Sequence, residues 1–296
     1  MRKSVIGAAV AVTLGLGAAA VPAAQASEGQ GLQAKSVTSV KHAGGADSGA
    51  KASTLGWTQG NTTFSSVVVN SNKNIAVGTS SAKTFTIVMT ITDPDGIDWA
   101  YGQIWRAADA SNPSPSNTAQ VFPDPDTAPD ATCVAVTSTT SKCTQTITIL
   151  PHDSQYYYLR NSMAGTWYTS VMMGDKLGNT VQNHFYKTVK VQRYAKVTVN
   201  ASPEPVYKGK TLTVTGKLTR ASWDSFTYLG YGGQWVSLDY RKSGGSYAKV
   251  KGVQSSSTGY LKGYATAYAD GYWRYYYKGN TPTSAAAAGG DYVDVR

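Results

Sequence analysis

Glutamate is almost missing from this chain: Glu28 and Glu204 are the two among 296 residues. No long run of alanine, leucine, glutamate and lysine follows residue 26 either. Glutamate, a good helix former, is thus scarce and no helix-favouring run is present, which argues against a mainly helical fold. Histidine is limited to His42, His152 and His184, read as ordinary surface side chains, and neither His-Glu-x-x-His nor Gly-x-Ser-x-Gly occurs. The usual signatures of metal-assisted or serine hydrolysis are thus absent, and no two carboxylates stand in a marked setting for glycoside hydrolysis. The chain reads as non-enzymatic. Cysteine is confined to Cys133 and Cys143, whose spacing is not the Cys-x-x-Cys of a redox pair. After residue 26 no apolar run is long enough to span a bilayer, so no transmembrane anchor is expected in the mature chain. Dense lysine and arginine runs are also lacking, and nucleic acid is not an expected partner.

Threonine, valine, tyrosine, glycine and serine are abundant, a composition that suits an all-β protein. Arg2 and Lys3, an apolar run from Val5 to Val21 and the ending Ala24-Gln25-Ala26 have the three parts of a cleaved secretory signal over 1–26. That predicts a secreted, extracellular protein. Residues 27–54 are too polar to bury a core and read as a flexible leader. The remaining length suits two domains, 55–195 and 196–296.

In the first, Phe85, Ile87, Met89 and Ile91 alternate with smaller or polar residues, the pattern of a half-buried strand. Asp93-Pro94-Asp95-Gly96 ends it in a turn, a strand carrying Trp99 and Trp105 follows, and 107–130 reads as one long surface excursion. An oxidising compartment predicts that Cys133 and Cys143 are joined, closing a hairpin between strands over 133–137 and 142–150. In the second domain, strands are predicted at 211–218, 235–240, 247–253, 260–267, 272–277 and 292–295, with 285–288 left in a loop. Each domain has about seven strands, which suits a β-sandwich. The second carries a net charge of +7 against zero for the first, and thirteen of the twenty tyrosines. Solubility explains that charge as readily as attraction to an anionic polymer.

Several runs also resemble a known group. They are NASPEPVYKGKTLTVTGKLTR from Asn200, Trp223, GYGGQWVSL from Gly230, DGYWRYYYKG from Asp270 and the closing GDYVDVR, with VVVNSNKNIAVGT and ITDPDGI in the first domain. The chain is similar over nearly its whole mature length to two-domain secreted proteins of streptomycetes and related actinomycetes. That resemblance implies two Ig-like β-sandwiches in tandem and, for some members, calcium binding.

Two constellations bear on function. In an extended 272–277, Trp273, Tyr275 and Tyr277 share one face while Tyr272, Arg274 and Tyr276 share the other with Lys278. The second set is a candidate surface for a polysaccharide or an anionic cell-wall polymer, since rings stack on sugars and cations meet acid groups. The competing reading is that tyrosine serves these strands structurally. Asp93, Asp95 and Asp98 form a candidate calcium site, with Asp124, Asp126 and Asp130 in the long loop as further oxygen donors. Turn geometry alone accounts for them and is the favoured reading, and the spacing departs from a helix-loop-helix calcium motif. No other cofactor is expected.

Overall fold

The computed structural model describes residues 57–58, 61–151 and 159–296. The expected signal segment and leader, His42 and His152 lie outside them. Among the described residues the only helical pieces are single 3₁₀ turns at Asn70–Asn72 and Asn161–Met163. No helix there is long and apolar enough to cross a membrane.

Ten strands precede residue 194: β1 (Trp57–Thr58), β2 (Thr63–Val69), β3 (Ile75–Val77), β4 (Lys83–Thr92), β5 (Ile97–Ala107), β6 (Thr118–Phe122), β7 (Thr132–Ala135), β8 (Thr140–Ile149), β9 (Gly165–Asp175) and β10 (Thr180–Arg193). One sheet runs β2-β4-β8-β7, and the other runs β1-β10-β9-β5-β6 with β3 parallel to β10. Lettered along the chain, the first order is A-B-E-D and the second brings C, F and G together with a C′ strand. That is an Ig-type sandwich. The alternation in β4 works as expected: Phe85, Ile87, Met89 and Ile91 are buried, while the residues between them are not. Each fully buried aliphatic side chain contributes about 1.5–3 kcal/mol. Gly102 lets the sheets approach, since a Cβ there would lie 3.2 Å from Ile87 Cγ2.

The second set is β11 (Ala195–Val197), β12 (Asn200–Ser202), β13 (Thr211–Ser222), β14 (Thr227–Gly230), β15 (Trp235–Arg241), β16 (Ala248–Gln254), β17 (Tyr260–Thr266), β18 (Gly271–Tyr277), β19 (Ala286–Ala287) and β20 (Asp291–Val293). Long β13 pairs with β11 and β12 along one side and with β14 and β17 along the other. The facing sheet is β16-β15-β18, with β19 and β20 on the far side of β18. Leu212, Val214, Leu218 and Leu261 meet Val236, Leu238, Trp273, Tyr275 and Tyr277 in the core. The buried Tyr275 hydroxyl donates to the Val214 carbonyl at 2.8 Å, so it crosses the core without leaving an unpaired polar group. The protein is therefore all-β, two sandwiches in tandem.

Hydrogen bonds stitch the two together at the Tyr194 crossing. Trp223, fully buried, donates its indole N–H to the Gly78 carbonyl at 3.0 Å, while its backbone N–H donates to Asn161 Oδ1 at 2.9 Å. Gln192 donates to the Asn280 carbonyl at 2.7 Å, and Arg193 Nε reaches the Ala221 carbonyl at 2.5 Å. Burial, and then the neighbouring Arg220, pull the Arg193 guanidinium down to about 10.

Three expectations need correction. The segment 107–130 is not all excursion: β6 lies within it and pairs with β5, burying Val121 and Phe122. Residues 285–288 are not all loop, because β19 pairs with β18. His184 is not a surface residue. It is 6% exposed, and its Nδ1 lies 2.9 Å from Ser170 Oγ while Gln182 donates to Nε2.

Candidate functional site

Strand β18 is aromatic at nearly every position because both of its faces are used. Trp273, Tyr275 and Tyr277 are buried, Tyr272 and Arg274 are half-buried, and Tyr276 and Lys278 are exposed. The outer side chains do not stand alone. Register places Arg241 of β15 opposite Tyr272, Asp239 opposite Arg274 and Ser237 opposite Tyr276, while Tyr292 of β20 flanks Tyr272 from the other side.

These neighbours build a ladder of rings and guanidinium groups. Tyr292 and Tyr272 have centroids 5.2 Å apart. The Arg241 guanidinium lies 4.2 Å from the Tyr272 centroid and 5.1 Å from that of Tyr247, which leads into β16. Arg274 is 3.8 Å from the same Tyr247 ring and 5.6 Å from Tyr276. Each such contact contributes about 0.5–1 kcal/mol where partly exposed. Arg274 also pairs with buried Asp239 through Nε–Oδ2 at 3.2 Å, and Ser237 Oγ donates to the other carboxylate oxygen. Gly290 permits the middle rung: at φ +99° it lies where a Cβ would come within 2.2 Å of the Tyr247 hydroxyl. That hydroxyl is buried without a hydrogen-bond partner among the described residues.

The candidate residues Tyr272, Arg274, Tyr276 and Lys278 thus lie along one outer face. The ladder engages Arg241 and Arg274 within itself and leaves Tyr276, Lys278 and Tyr292 exposed. Arg241, Tyr247 and Tyr292 were missed by sequence reasoning. They reach the stripe only through strand pairing, and the alternation within β18 carries no mark of them.

At the far end of the first sandwich the structure brings Asp93 and Asp95 together, but not with Asp98. Asp98 is exposed on β5, while Asp175 from the β9–β10 turn joins the other two, with ligand atoms of all three within 4.8 Å of one another. The reason is register: Ile97 pairs with Asp175 across β5 and β9, and the Lys176 amide donates to the Gly96 carbonyl at 3.3 Å. Asp93 accepts from Thr62 Oγ1 and from the Asp95 amide at 2.9 Å. Burial pushes the Asp175 carboxyl up, but hydrogen bonds from the Asn179 side chain and from the backbone of residues 177–179 outweigh it and hold the carboxyl below its usual range. Hard oxygen donors in loops fit calcium by chemistry. Against that fit, most of these oxygens already accept hydrogen bonds, and the Lys176 side chain passes over Gly96 beside them. Among the described residues Asp124, Asp126 and Asp130 form no comparable group.

The disulfide is present: Cys133 and Cys143 face each other across β7 and β8, with an S–S distance of 2.01 Å. It joins D and E strands, whereas the Ig-type bridge links B to F across the core.

Comparison with known proteins finds no matching family model and no matching curated protein. Solved structures do match. The three-domain ectodomain of mouse nectin-like molecule 4 is 12% identical, with 78% of this chain and 64% of that one covered and a TM-score of 0.23. The D00–D0 domain of intimin is 13% identical, with 77% and 98% covered and a TM-score of 0.26. Three N-terminal domains of the bacteriophage RB49 outer capsid protein Hoc are 11% identical, with 78% and 69% covered and a TM-score of 0.28. This chain spans about two thirds of the nectin-like ectodomain's length. At such scores the strand order, not the likeness, carries the fold. Nothing in these matches supports the actinomycete resemblance.

Proposed function

We propose that this chain is a secreted, non-enzymatic binding or structural protein of the cell envelope or extracellular space, whose second sandwich contacts a polysaccharide or anionic wall polymer. The contact residues are Tyr272, Arg274, Tyr276 and Lys278. The observation that carries this reading is the ring and guanidinium ladder on the outer face of β18, in the domain with a net charge of +7. Rings held in place by stacked cations bind with little loss of side-chain freedom. In binding isotherms on immobilised wall polysaccharide, the double variant Tyr272→Ser, Tyr276→Ser is expected to weaken binding at least tenfold. Unchanged affinity, or no binding by the parent protein, sinks this reading.

A second reading is calcium binding at the first sandwich, favoured by the convergence of Asp175 on Asp93 and Asp95. A ligand that binds only the folded chain stabilises it by about 2.7 kcal/mol at a hundredfold excess over Kd, which raises the melting temperature by several degrees. Melts in calcium and in chelator are expected to differ for the parent protein and to coincide for Asp175→Asn. Identical parent curves exclude the site.

A further inference from the structure

The second sandwich has another concave feature, on the opposite side of β18 from the ladder. A groove of about 640 Å³ opens where the two sheets part at their edges, lined by Val250 of β16, Tyr240 of β15, Trp273 of β18, Lys208, Lys242 and Tyr268. That volume is within the range of small-molecule sites. Its floor is aromatic, with the Tyr240 and Trp273 centroids 4.9 Å apart. Its rim carries a ring with no burial to explain it, since Tyr268 is 69% exposed.

The walls are preformed. The Gly209 amide donates to the Ala267 carbonyl at 2.7 Å, and the Ala267 amide donates back to Lys210 at 3.0 Å, so the Lys208 loop and the Tyr268 loop are tied to each other. The Tyr240 hydroxyl donates to the Asp270 carbonyl at 2.8 Å and fixes the start of β18. No lining residue is acidic. The adjacent Asp270 carboxylate instead accepts from the Val295 amide at 2.8 Å. An apolar floor, an exposed ring and two lysines complement a ligand with one apolar face and an acid group.

We propose that this groove binds an anionic saccharide, one sugar ring lying against Tyr268 and the Tyr240–Trp273 floor and its acid group meeting Lys208 and Lys242. The proposal shares its ligand class with the reading above but uses none of the same residues, so the two can fail separately. Stacking supplies the ring preference and the lysines supply the charge preference.

The test is calorimetric titration of the full chain with tetragalacturonate, with the neutral galactose tetramer and with inorganic phosphate. Tetragalacturonate is expected to bind at least tenfold more tightly than either. Tyr268→Ala should weaken it at least fivefold. Lys208→Ala with Lys242→Ala should weaken it at least tenfold and flatten its dependence on salt. Tyr276→Ser should leave it unchanged. No binding, binding insensitive to both groove variants, or phosphate binding as tightly as the oligomer overturns the proposal. Loss in Tyr276→Ser alone also overturns it, and assigns the saccharide to the ladder instead. The substituted positions are on the rim, and matching melting curves establish that the variants fold.

Discussion

His184 carries the clearest single-residue consequence. Burial pushes its imidazole down to about 4, whereas an unfolded histidine titrates near 6.5. Between those values the unfolded chain binds more protons than the folded one, so stability rises with pH through the window. The contribution is complete above about 6.5 and lost as pH falls to 4, amounting to at most about 3 kcal/mol. Denaturant titrations at steps from pH 4 to 7 should show that slope, and His184→Gln should remove it; parallel curves for both proteins would refute the assignment. Gly290 is the second such residue. Gly290→Ala must adopt φ +99° and clear the Tyr247 hydroxyl. We expect a loss of about 1–3 kcal/mol in chemical denaturation and severalfold weaker polymer binding, because the rung between Arg241 and Arg274 is displaced. Neither residue announced its role in the sequence. His184 sits in a polar stretch of β10, and its burial depends on β9, β10 and Trp105 packing together, with Trp105 donating to the His184 carbonyl at 2.9 Å.

At the level of elements, alternation and turn residues make most strands legible: β4, β13 and β18 lie where period-two patterning places them, because one face of each meets a core. Pairing is less legible. Nothing local to Asp93-Pro94-Asp95-Gly96 indicates that Asp175 will lie beside it, and β6 is hidden by the prolines and aspartates around it. The ladder on β18 has the same character, since four of its residues are visible together and Arg241, Tyr247 and Tyr292 arrive by register. The disulfide is an exception, as a signal-like N-terminal segment and a pair of cysteines sufficed to predict it. It closes a sequence separation of 10 between directly opposed residues. By chain entropy that is worth about 2.5–3 kcal/mol. Cys133→Ser with Cys143→Ser should lower the unfolding free energy by that amount and leave the denaturant m-value little changed, with a shift under 1 kcal/mol contradicting the estimate.

For the whole molecule, the described residues form one compact unit. The seam at Tyr194 explains how: Trp223 directly follows β13 yet bonds Gly78 and Asn161 of the first sandwich. Trp223→Ala removes a fully buried indole, a loss of about 3–5 kcal/mol. The parent protein should melt in a single calorimetric transition, and the variant in two, the lower by several degrees; a variant that melts as the parent does would show that the seam couples nothing. The contact surface proposed for this chain is the outer face of β18. Hydroxyl-radical footprinting of the full chain, with and without soluble cell-wall polymer, tests that most directly. We predict strong protection of Tyr272 and Tyr276 with Tyr207 and Tyr228 unchanged; equal reactivity of Tyr272 and Tyr276 in both conditions would contradict the assignment of this face.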